Sequence, residues 1–218
     1  MQKIESLKKL FGVAAVLSVW TLLHVIFDKQ LIPSPWNVFT AFGFLLAEKT
    51  IWLHLLFSLY RILLGLGTAL IIGIPVGLLS GMSRRVDWVI TPITYLLYPV
   101  PKIAFLPVFM VIFGLGDLSK VILLFSVIVF QIILGTRDGV KGIPESLFKA
   151  VKTLGLSRLG IYKNLILPST LPKIVSALRI SLGISISVLF FGENYATTYG
   201  IGYFIMNNWI MVQYTQMF

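Results

Sequence analysis

Long apolar runs are the feature that most constrains how this chain folds. Five of them, at about residues 10–27, 59–79, 95–113, 118–135 and 174–191, are long enough to cross a bilayer as helices. Hydrophobic residues make up 57% of the 218-residue chain and charged residues only 12%, which is too little polar surface for a soluble domain. The sequence therefore predicts an all-α, polytopic membrane protein, formed as one transmembrane domain over residues 1–218.

The first and last segments leave two questions of topology. The first run is predicted to be a retained span rather than a cleaved signal peptide, because the bulky and charged residues 27–30 offer no small-residue cleavage site. The aromatic-rich segment 36–59 is expected to lie at the membrane interface. Residues 201–218 are only partly apolar, so they form either an external interfacial helix with the start of a sixth span, or the end of a truncated chain.

Small residues recur every four positions along the second span. This spacing places them on one helix face, where a neighbouring helix can approach closely, while Pro75 is expected to kink the helix. The predicted helix-packing residues are Gly65, Ala69, Gly73, Gly77 and Gly81.

Prolines interrupt the third span at residues 98–107 (YPVPKIAFLP). Irregular backbone at membrane depth is tolerated where protein or a water-filled cavity covers it, so this segment is a candidate lining of a pathway. Lys102 is either a pathway charge or a side chain that extends to the interface. The same alternatives hold for Arg61, Arg179 and Glu193. The pathway candidates are Arg61, Pro99, Pro101, Lys102 and Glu193.

The polar loop 136–173 is predicted to contain two short amphipathic helices. Gly155 is placed to stop the first, Ser157 can cap the second, and Pro168 and Pro172 are expected to end it. The loop is either a solvated basic segment or a docking element whose apolar stripe fits a groove on a partner. The stripe consists of Leu147, Ala150, Val151 and Leu154.

Charge fixes the expected orientation and excludes other functions. The 18 Lys and Arg outnumber the 8 Asp and Glu, and most of them fall on the N-terminus, the 82–87 turn and the 136–173 loop, which predicts that all three are cytoplasmic. No solvated basic face for nucleic acid is present.

The chain has no Cys, two His and no hydrolase, zinc-protease or phosphate-loop motif, so no catalytic residue, metal site or bound cofactor is expected.

One part of the loop resembles a known motif. Residues 149–155 (KAVKTLG) are followed after nine residues by 165–168 (LILP), which is similar to the EAA motif of binding-protein-dependent ABC importer permeases. The sequence departs from that motif at Lys149, where the family has Glu. The resemblance implies ATPase coupling for the whole motif. The coupling residues are then Lys149, Ala150, Val151, Leu154, Gly155, Leu165, Leu167 and Pro168.

Further segments resemble the nitrate, sulfonate, taurine and bicarbonate branch of those permeases, over roughly residues 31–212. They include 32–35 (IPSP), 99–107, 113–116 (FGLG) and 200–203 (GIGY). The resemblance implies a type I importer helical bundle in the inner membrane that imports a small solute, such as one of these anions or a vitamin precursor. It also implies a second permease copy, a cytoplasmic ABC ATPase dimer that uses ATP and Mg, and an extracytoplasmic solute-binding protein.

Two other functions remain open at the level of sequence. A membrane anchor or assembly subunit without a pathway would be indifferent to substitution of Pro99, Pro101 and Lys102. An ion-coupled carrier would need intramembrane carboxylates, and Glu193 is the one acidic residue near a span end that does not belong to a loop.

Overall fold

The computed structural model describes residues 2–27 and 31–218, with side chains described from Leu7, and every regular element in these ranges is a helix. This confirms the predicted fold class. The junction at residues 28–30, where no cleavage site is predicted, lies outside the described residues. The helices are α1 (Gln2–Ile26), α2 (Pro35–Ala47), α3 (Lys49–Met82), α4 (Arg84–Leu97), α5 (Leu106–Phe113), α6 (Asp117–Lys141), α7 (Glu145–Thr153), α8 (Arg158–Ile161), α9 (Leu167–Glu193), α10 (Ile201–Ile210) and α11 (Tyr214–Met217).

Within the described residues, four helices are long and apolar enough to cross a membrane, and a bent pair can make a fifth span. The four are α1 from Leu7, α3, α6 and the continuous helix Arg158–Glu193. The bent pair joins α4 to Lys102–Phe113 at an angle of 82°. The break falls at Pro99 and Pro101, as predicted, because proline lacks the backbone N–H that a continuing helix needs.

The chain divides into two compact units. The terminal unit contains Met1–Phe57 and Thr198–Phe218, and the central unit contains Ser58–Thr197. In the terminal unit, Trp20 Nε1 donates to the Pro33 carbonyl at 3.1 Å, and the Trp20 ring contacts the Phe218 ring. His54 is buried, with Nδ1 3.0 Å from the Gly200 carbonyl and its ring stacked on Tyr203.

Helix α6 is the core of the central unit, and α3 packs along it in parallel. A Cβ on Gly65 would lie 2.6 Å from Leu124, and one on Gly81 would lie 2.5 Å from Val140. Both contacts advance by the same number of residues, so the two helices run in the same direction. Helix α9 runs antiparallel to α6, since Gly135 faces Ala177 while Gly192 lies near Leu123. The small face on α3 therefore packs against α6.

Because α3 and α6 run in the same direction, the chain between them, which includes the broken segment, must return from one end of the central unit to the other. Helix α3 ends beside the end of α6, whereas α6 begins at the opposite end, where Arg61 of α3 contacts Asp117. The twenty residues from Arg61 to Gly81 span about 30 Å, close to the thickness of the hydrocarbon core. Residues 83–116, including the bent pair, carry the chain back over that length.

Two details differ from the sequence expectations. The segment 36–59 is not one interfacial helix, because a break at Glu48 separates α2 from α3, which begins at Lys49. The prediction that Pro168 and Pro172 end a helix is wrong. A π-helical turn at Tyr162–Ile166 precedes Pro168, and the helix continues through Pro172 to Glu193. Pro168 comes two residues after the π-helical turn, which changes the backbone hydrogen-bond register just before the proline that cannot donate.

Candidate coupling and translocation sites

The segment 145–168, called here the coupling element, contains two short helices joined by a tight turn. Helix α7 ends at Thr153, and Gly155 has φ +72°, a left-handed conformation that side chains with a Cβ rarely adopt. The Ser157 hydroxyl then accepts a hydrogen bond from the Gly160 N–H at 3.2 Å and caps α8. The glycine stop and the serine cap are thus present where the sequence predicts them.

A buried apolar cluster holds the coupling element against the central unit. Its members are Leu78, Val140, Ile143, Leu165 and Ile166, with Phe148, Val151, Ile161 and Tyr162 among the side chains packed against it. The cluster therefore joins one face of α7 and the π-helical turn to the ends of α3 and α6.

Other apolar side chains of the coupling element are exposed. Leu154 is 76% exposed and Leu159 is 73% exposed, and both lie next to the Gly155 turn. Leu147 and Ala150 are also exposed, whereas Val151 is half-buried in the cluster below. The predicted stripe is thus divided, because Val151 anchors the element while the others form an uncovered surface.

Lys149, the position that departs from the motif, pairs with a carboxylate on its own helix. Its Nζ lies 3.2 Å from Glu145 Oε1, one helical turn earlier, and both side chains are largely exposed. An exposed pair at this spacing contributes little to stability. It nevertheless places a carboxylate and an ammonium side by side on the coupling element.

A buried charge cluster joins the other ends of α3, α6 and α9. Arg61 is 3% exposed and Glu193 is 1% exposed. Arg61 Nη1 donates to Glu193 Oε1 at 2.6 Å, and Arg61 Nε donates to Asp117 Oδ1 at 2.8 Å. Ser58 Oγ donates to the same Glu193 carboxylate at 2.8 Å. Arg61 is therefore a buried ion-pair residue of the central unit.

Lys120 lies at the same end and is 1% exposed. Its Nζ donates to the carbonyls of Leu115, Gly116 and Ala196 at 3.1, 3.3 and 3.3 Å. It thus ties the loop before α6 to the loop after α9. Lys120 and Asp117 are not among the residues predicted from sequence. The polar residues Ser58 and Arg61, three positions apart in an apolar run, are the signal for this cluster, because they mark the helix face that it contacts.

The broken segment lines a cavity of about 420 Å³. Lys102 Nζ donates to the Leu97 carbonyl and, at 2.8 Å, to the Tyr98 carbonyl, both at the C-terminal end of α4. Nζ also lies 5.0 Å from the centre of the Phe130 ring. Pro101 lines the same cavity.

A second cluster of charges, centred on Asp87, was not predicted. The Asp87 carboxylate accepts hydrogen bonds from Arg137 Nε at 2.5 Å, Lys141 Nζ at 2.5 Å, Thr91 Oγ1 at 2.7 Å and Ser80 Oγ at 3.0 Å. It joins the ends of α3 and α6 to the start of α4, beside the coupling element. The sequence places Arg137 and Lys141 in the predicted polar loop 136–173, but in the structure α6 extends to Lys141.

The structure does not bring all the pathway candidates together. Pro99, Pro101 and Lys102 belong to the broken segment, whereas Arg61 and Glu193 pair with each other at the end of the unit where α6 begins. Arg179 is exposed on α9. Among the described residues, no group of three or more His, Cys, Asp or Glu side chains could hold a metal ion.

These features define a class of protein: a helical membrane protein with a sharply bent pair of apolar helices and with exposed apolar side chains at the turn between α7 and the helix Arg158–Glu193. Residues 73–218 match the family described as the binding-protein-dependent transport system inner membrane component, and the chain belongs to this family. The chain is thus the permease subunit of an ABC importer. In this family the permease is not itself an enzyme, and ATP hydrolysis belongs to the partner ATPase.

Individual relatives place the chain in one branch of importers. It is 34% identical over 203 residues to the taurine transport system permease protein TauC of Escherichia coli, covering 89% of this chain and 73% of the relative. It is 29% identical to the putative aliphatic sulfonates transport permease protein SsuC of Bacillus subtilis, covering 92% and 74%. It is also 29% identical to the nitrate import permease protein NrtB of Synechococcus elongatus, covering 87% and 71%. This agrees with the branch that the sequence motifs resemble.

Proposed function

We propose that this permease couples to its ATPase through the exposed face of the coupling element. ATP binding would close the ATPase dimer, the coupling element would move with it, and the spans would change access from one side of the membrane to the other. The single observation that carries the proposal is the exposure of the apolar side chains Leu154 and Leu159 at the turn between α7 and the helix that begins at Arg158.

The apolar cluster beneath supports this role. A docking surface that transmits force must be fixed to the part that moves, and Val151 and Phe148 pack against the ends of α3 and α6. The Gly155 turn sets the angle between α7 and α8, so it also sets where Leu154 lies. Exposed leucines beside a rigid turn fit helix-in-groove docking, in which a few apolar anchors carry most of the binding energy.

Substitution of Leu154 tests the proposal. Leu154→Ser should insert and fold normally but lose co-purification with the ATPase in mild detergent, and uptake should fall about tenfold or more. Leu154→Met is the matched control, because it keeps the apolar area, and should behave like the wild type. Normal ATPase binding and uptake by Leu154→Ser would overturn the assignment.

We also propose that the N-terminus and the coupling element are cytoplasmic. The excess of Lys and Arg at the N-terminus, in the 82–87 turn and in the 136–173 loop supports this orientation. Since the natural sequence has no Cys, single cysteines can report it. Leu115→Cys should react with an impermeant maleimide in spheroplasts, while Lys163→Cys should react only after lysis. The reverse pattern would invert the topology.

Two copies of the permease, two ATPase subunits with ATP and Mg, and one extracytoplasmic binding protein form the proposed complete importer. Membership of a binding-protein-dependent family supports the last two kinds of partner. Co-expression of this chain with two different affinity tags tests the homodimer. Capture on one tag should recover the other, and recovery of a different permease in its place would mean a heterodimer.

The proposed solute is a small molecule that carries an oxyanion group. The printed names of the relatives include taurine, aliphatic sulfonates, nitrate and bicarbonate. Uptake of these solutes by cells that carry the whole operon-encoded complex is the corresponding test, with a catalytically inactive ATPase as the control.

A further inference from the structure

We propose that the surface of the ATPase that receives the coupling element is an apolar groove with an acidic rim. This inference rests on the proposed function, because it takes the exposed leucines of the coupling element as the docking anchors. It goes further by assigning the charge of the partner's surface, from the charges that surround those leucines.

Basic side chains surround the two exposed leucines of the coupling element. Lys152 lies two residues before Leu154, and Arg158 lies directly before Leu159. Glu145 is the one acidic residue between positions 145 and 168. The basic residues of the coupling element, all exposed, are Lys149, Lys152, Arg158 and Lys163. The docking surface is therefore apolar at its centre and positively charged around it.

The chain itself does not neutralise these charges. Lys152, Arg158 and Lys163 have no carboxylate partner in the part of the chain that the structure describes. Lys149 pairs with Glu145, but both side chains are largely exposed, and a pair of this kind contributes little to stability. The fold of the coupling element therefore does not depend on these four cations, and they remain available to a partner.

The helix geometry directs two of the cations away from the central unit. Phe148 and Val151 pack against the buried cluster at the ends of α3 and α6. Lys149 and Lys152 each follow directly after one of these residues, so each is rotated by about 100° around α7. The residues that fix the element and the residues that carry its charge thus occupy different sides of the same helix.

The chemistry of the groove follows from what docking would do to these charges. When Leu154 and Leu159 enter an apolar groove, the flanking cations come to lie at its edge and lose part of their contact with water. A neutral or basic edge would leave them unpaired or repelled, whereas carboxylates would pair with them. An apolar centre within a charged rim is also the usual arrangement of a protein interface.

Orientation in the membrane does not by itself account for the position of the charges. The positive-inside bias counts the Lys and Arg of a short loop wherever they lie within it. It does not require Lys152 and Arg158 to flank the exposed leucines. Headgroups of anionic lipids are the competing partner for such cations, and the experiments below separate the two.

Carbodiimide coupling in the full permease–ATPase complex tests the assignment directly, because this reagent joins a lysine amine to a carboxylate in contact with it. The complex is held in phosphatidylcholine nanodiscs, and the joined residues are mapped by mass spectrometry. The wild type should give adducts between lysines of the coupling element and Asp or Glu of the ATPase. Absence of these adducts, or adducts that join Glu145 to an ATPase lysine in their place, would overturn the proposal.

A charge-conserving variant is the matched control for this coupling. Lys149→Arg, Lys152→Arg and Lys163→Arg combined keep the positive charge but remove the reactive amines. The combined variant should lose the mapped adducts and still co-purify with the ATPase. Loss of co-purification would show that the lysines act through more than their charge, and would overturn the acidic rim.

Salt dependence gives a second test, in which the proposal predicts opposite signs for two variants. The quantity measured is the KCl concentration that releases half of the ATPase from the complex. Lys152→Gln combined with Arg158→Gln should lower it about twofold or more. Glu145→Gln should raise it, because it removes a charge that an acidic rim repels. Arg85→Gln, an exposed arginine of the 82–87 turn, is the control and should leave it unchanged. Equal values in all variants, or reversed signs, would overturn the proposal.

Nanodiscs that contain phosphatidylglycerol separate the lipid alternative. An acidic rim on the ATPase predicts the same half-release concentration with and without this anionic lipid, and the same difference between the variants. An effect of the charge variants that is present only with phosphatidylglycerol would assign the cations to lipid headgroups and overturn the acidic rim.

The acidic rim and the coupling role fail in different ways. Loss of ATPase capture in Leu154→Ser, together with no lysine adducts and equal half-release concentrations, would overturn only the acidic rim. Normal capture and uptake by Leu154→Ser, together with lysine adducts to ATPase carboxylates, would overturn only the role of the leucines in coupling.

Discussion

Charged side chains are usually exposed and apolar side chains are usually buried. Each end of the central unit departs from one half of this rule. At one end, Arg61 and Glu193 are charged and almost fully buried. At the other end, Leu154 and Leu159 are apolar and mostly exposed, at the turn between α7 and the helix that begins at Arg158. Buried charges need partners within the protein, and exposed leucines outside the membrane need a partner beyond it.

The difference indicates how each end is stabilised. The buried charge cluster is complete in itself, since Arg61 contacts two carboxylates and Ser58 supports one of them. It fixes the relative positions of α3, α6 and α9. The exposed face of the coupling element is incomplete, because nothing in the central unit covers it. One end is therefore expected to respond to mutation through folding, and the other through function.

The largest effect on folding is expected for Glu193→Gln. Removing this carboxylate leaves Arg61 buried with half of its charge pairing, which should destabilise the protein by about 3 kcal/mol. Unfolding by SDS titration measures the loss. Asp138→Asn is the matched control, because Asp138 is also paired with an arginine but is mostly exposed, and it should change stability by less than about 0.5 kcal/mol. Equal losses of stability in the two variants would contradict the claim that the buried charge cluster stabilises the fold more than an exposed ion pair does.

A second folding effect is expected along the small face of α3. A Cβ on Gly77 would lie 2.6 Å from Thr136 Cβ and 2.7 Å from the Ile133 carbonyl, so Gly77→Val should cost about 1–3 kcal/mol. Gly67→Ala is the control on the same helix, since a Cβ there meets nothing within 4 Å. The same SDS titration applies, and no loss for Gly77→Val would contradict the close approach of α3 to α6.

An intermediate result is expected for Asp87→Asn. The variant weakens the bonds to Arg137 and Lys141, but these groups are partly exposed, so water replaces some of the interaction. Stability should fall by about 1 kcal/mol. Because Asp87 joins α4 to the ends of α3 and α6, against which the coupling element packs, uptake should fall more than stability does. A loss of stability as large as that of Glu193→Gln would show that the Asp87 cluster stabilises the fold as strongly as the buried Arg61–Glu193 cluster does.

The smallest effect on folding is expected for Leu154→Ser. Exposed surface substitutions usually change stability by less than about 0.5 kcal/mol, so the SDS midpoint should remain at the wild-type value while uptake is lost. A variant that unfolds early would show that Leu154 serves the fold, and the contrast between the two ends would then disappear.

Much of this architecture was predictable because local signals and tertiary packing agree. Apolar runs predicted the long helices α1, α3, α6 and α9, Pro99 and Pro101 predicted the break, and Gly155 and Ser157 predicted the turn and cap of the coupling element. Each of these depends on the residue itself and its near neighbours, which are visible in sequence.

Long-range pairing was not predictable in the same way. Asp117 meets Arg61 across 56 positions of sequence, and Asp87 meets Arg137 across 50. No periodicity within one helix encodes such a contact. Pro168 and Pro172 misled the prediction for the opposite reason, because a π-helical turn and neighbouring packing allow the helix to continue where local propensity favours a stop.

Cross-linking from Leu154→Cys, in the cysteine-free background of this chain, tests the central claim most directly. A photoactivatable maleimide is attached in native membranes, with Val111→Cys, 87% exposed on α5, as the control for a side chain on a spanning segment. The account predicts an ATPase adduct from Leu154→Cys that changes in yield with ATP, and none from Val111→Cys. An adduct only with lipid, or equal ATPase adducts from both positions, would contradict the coupling role.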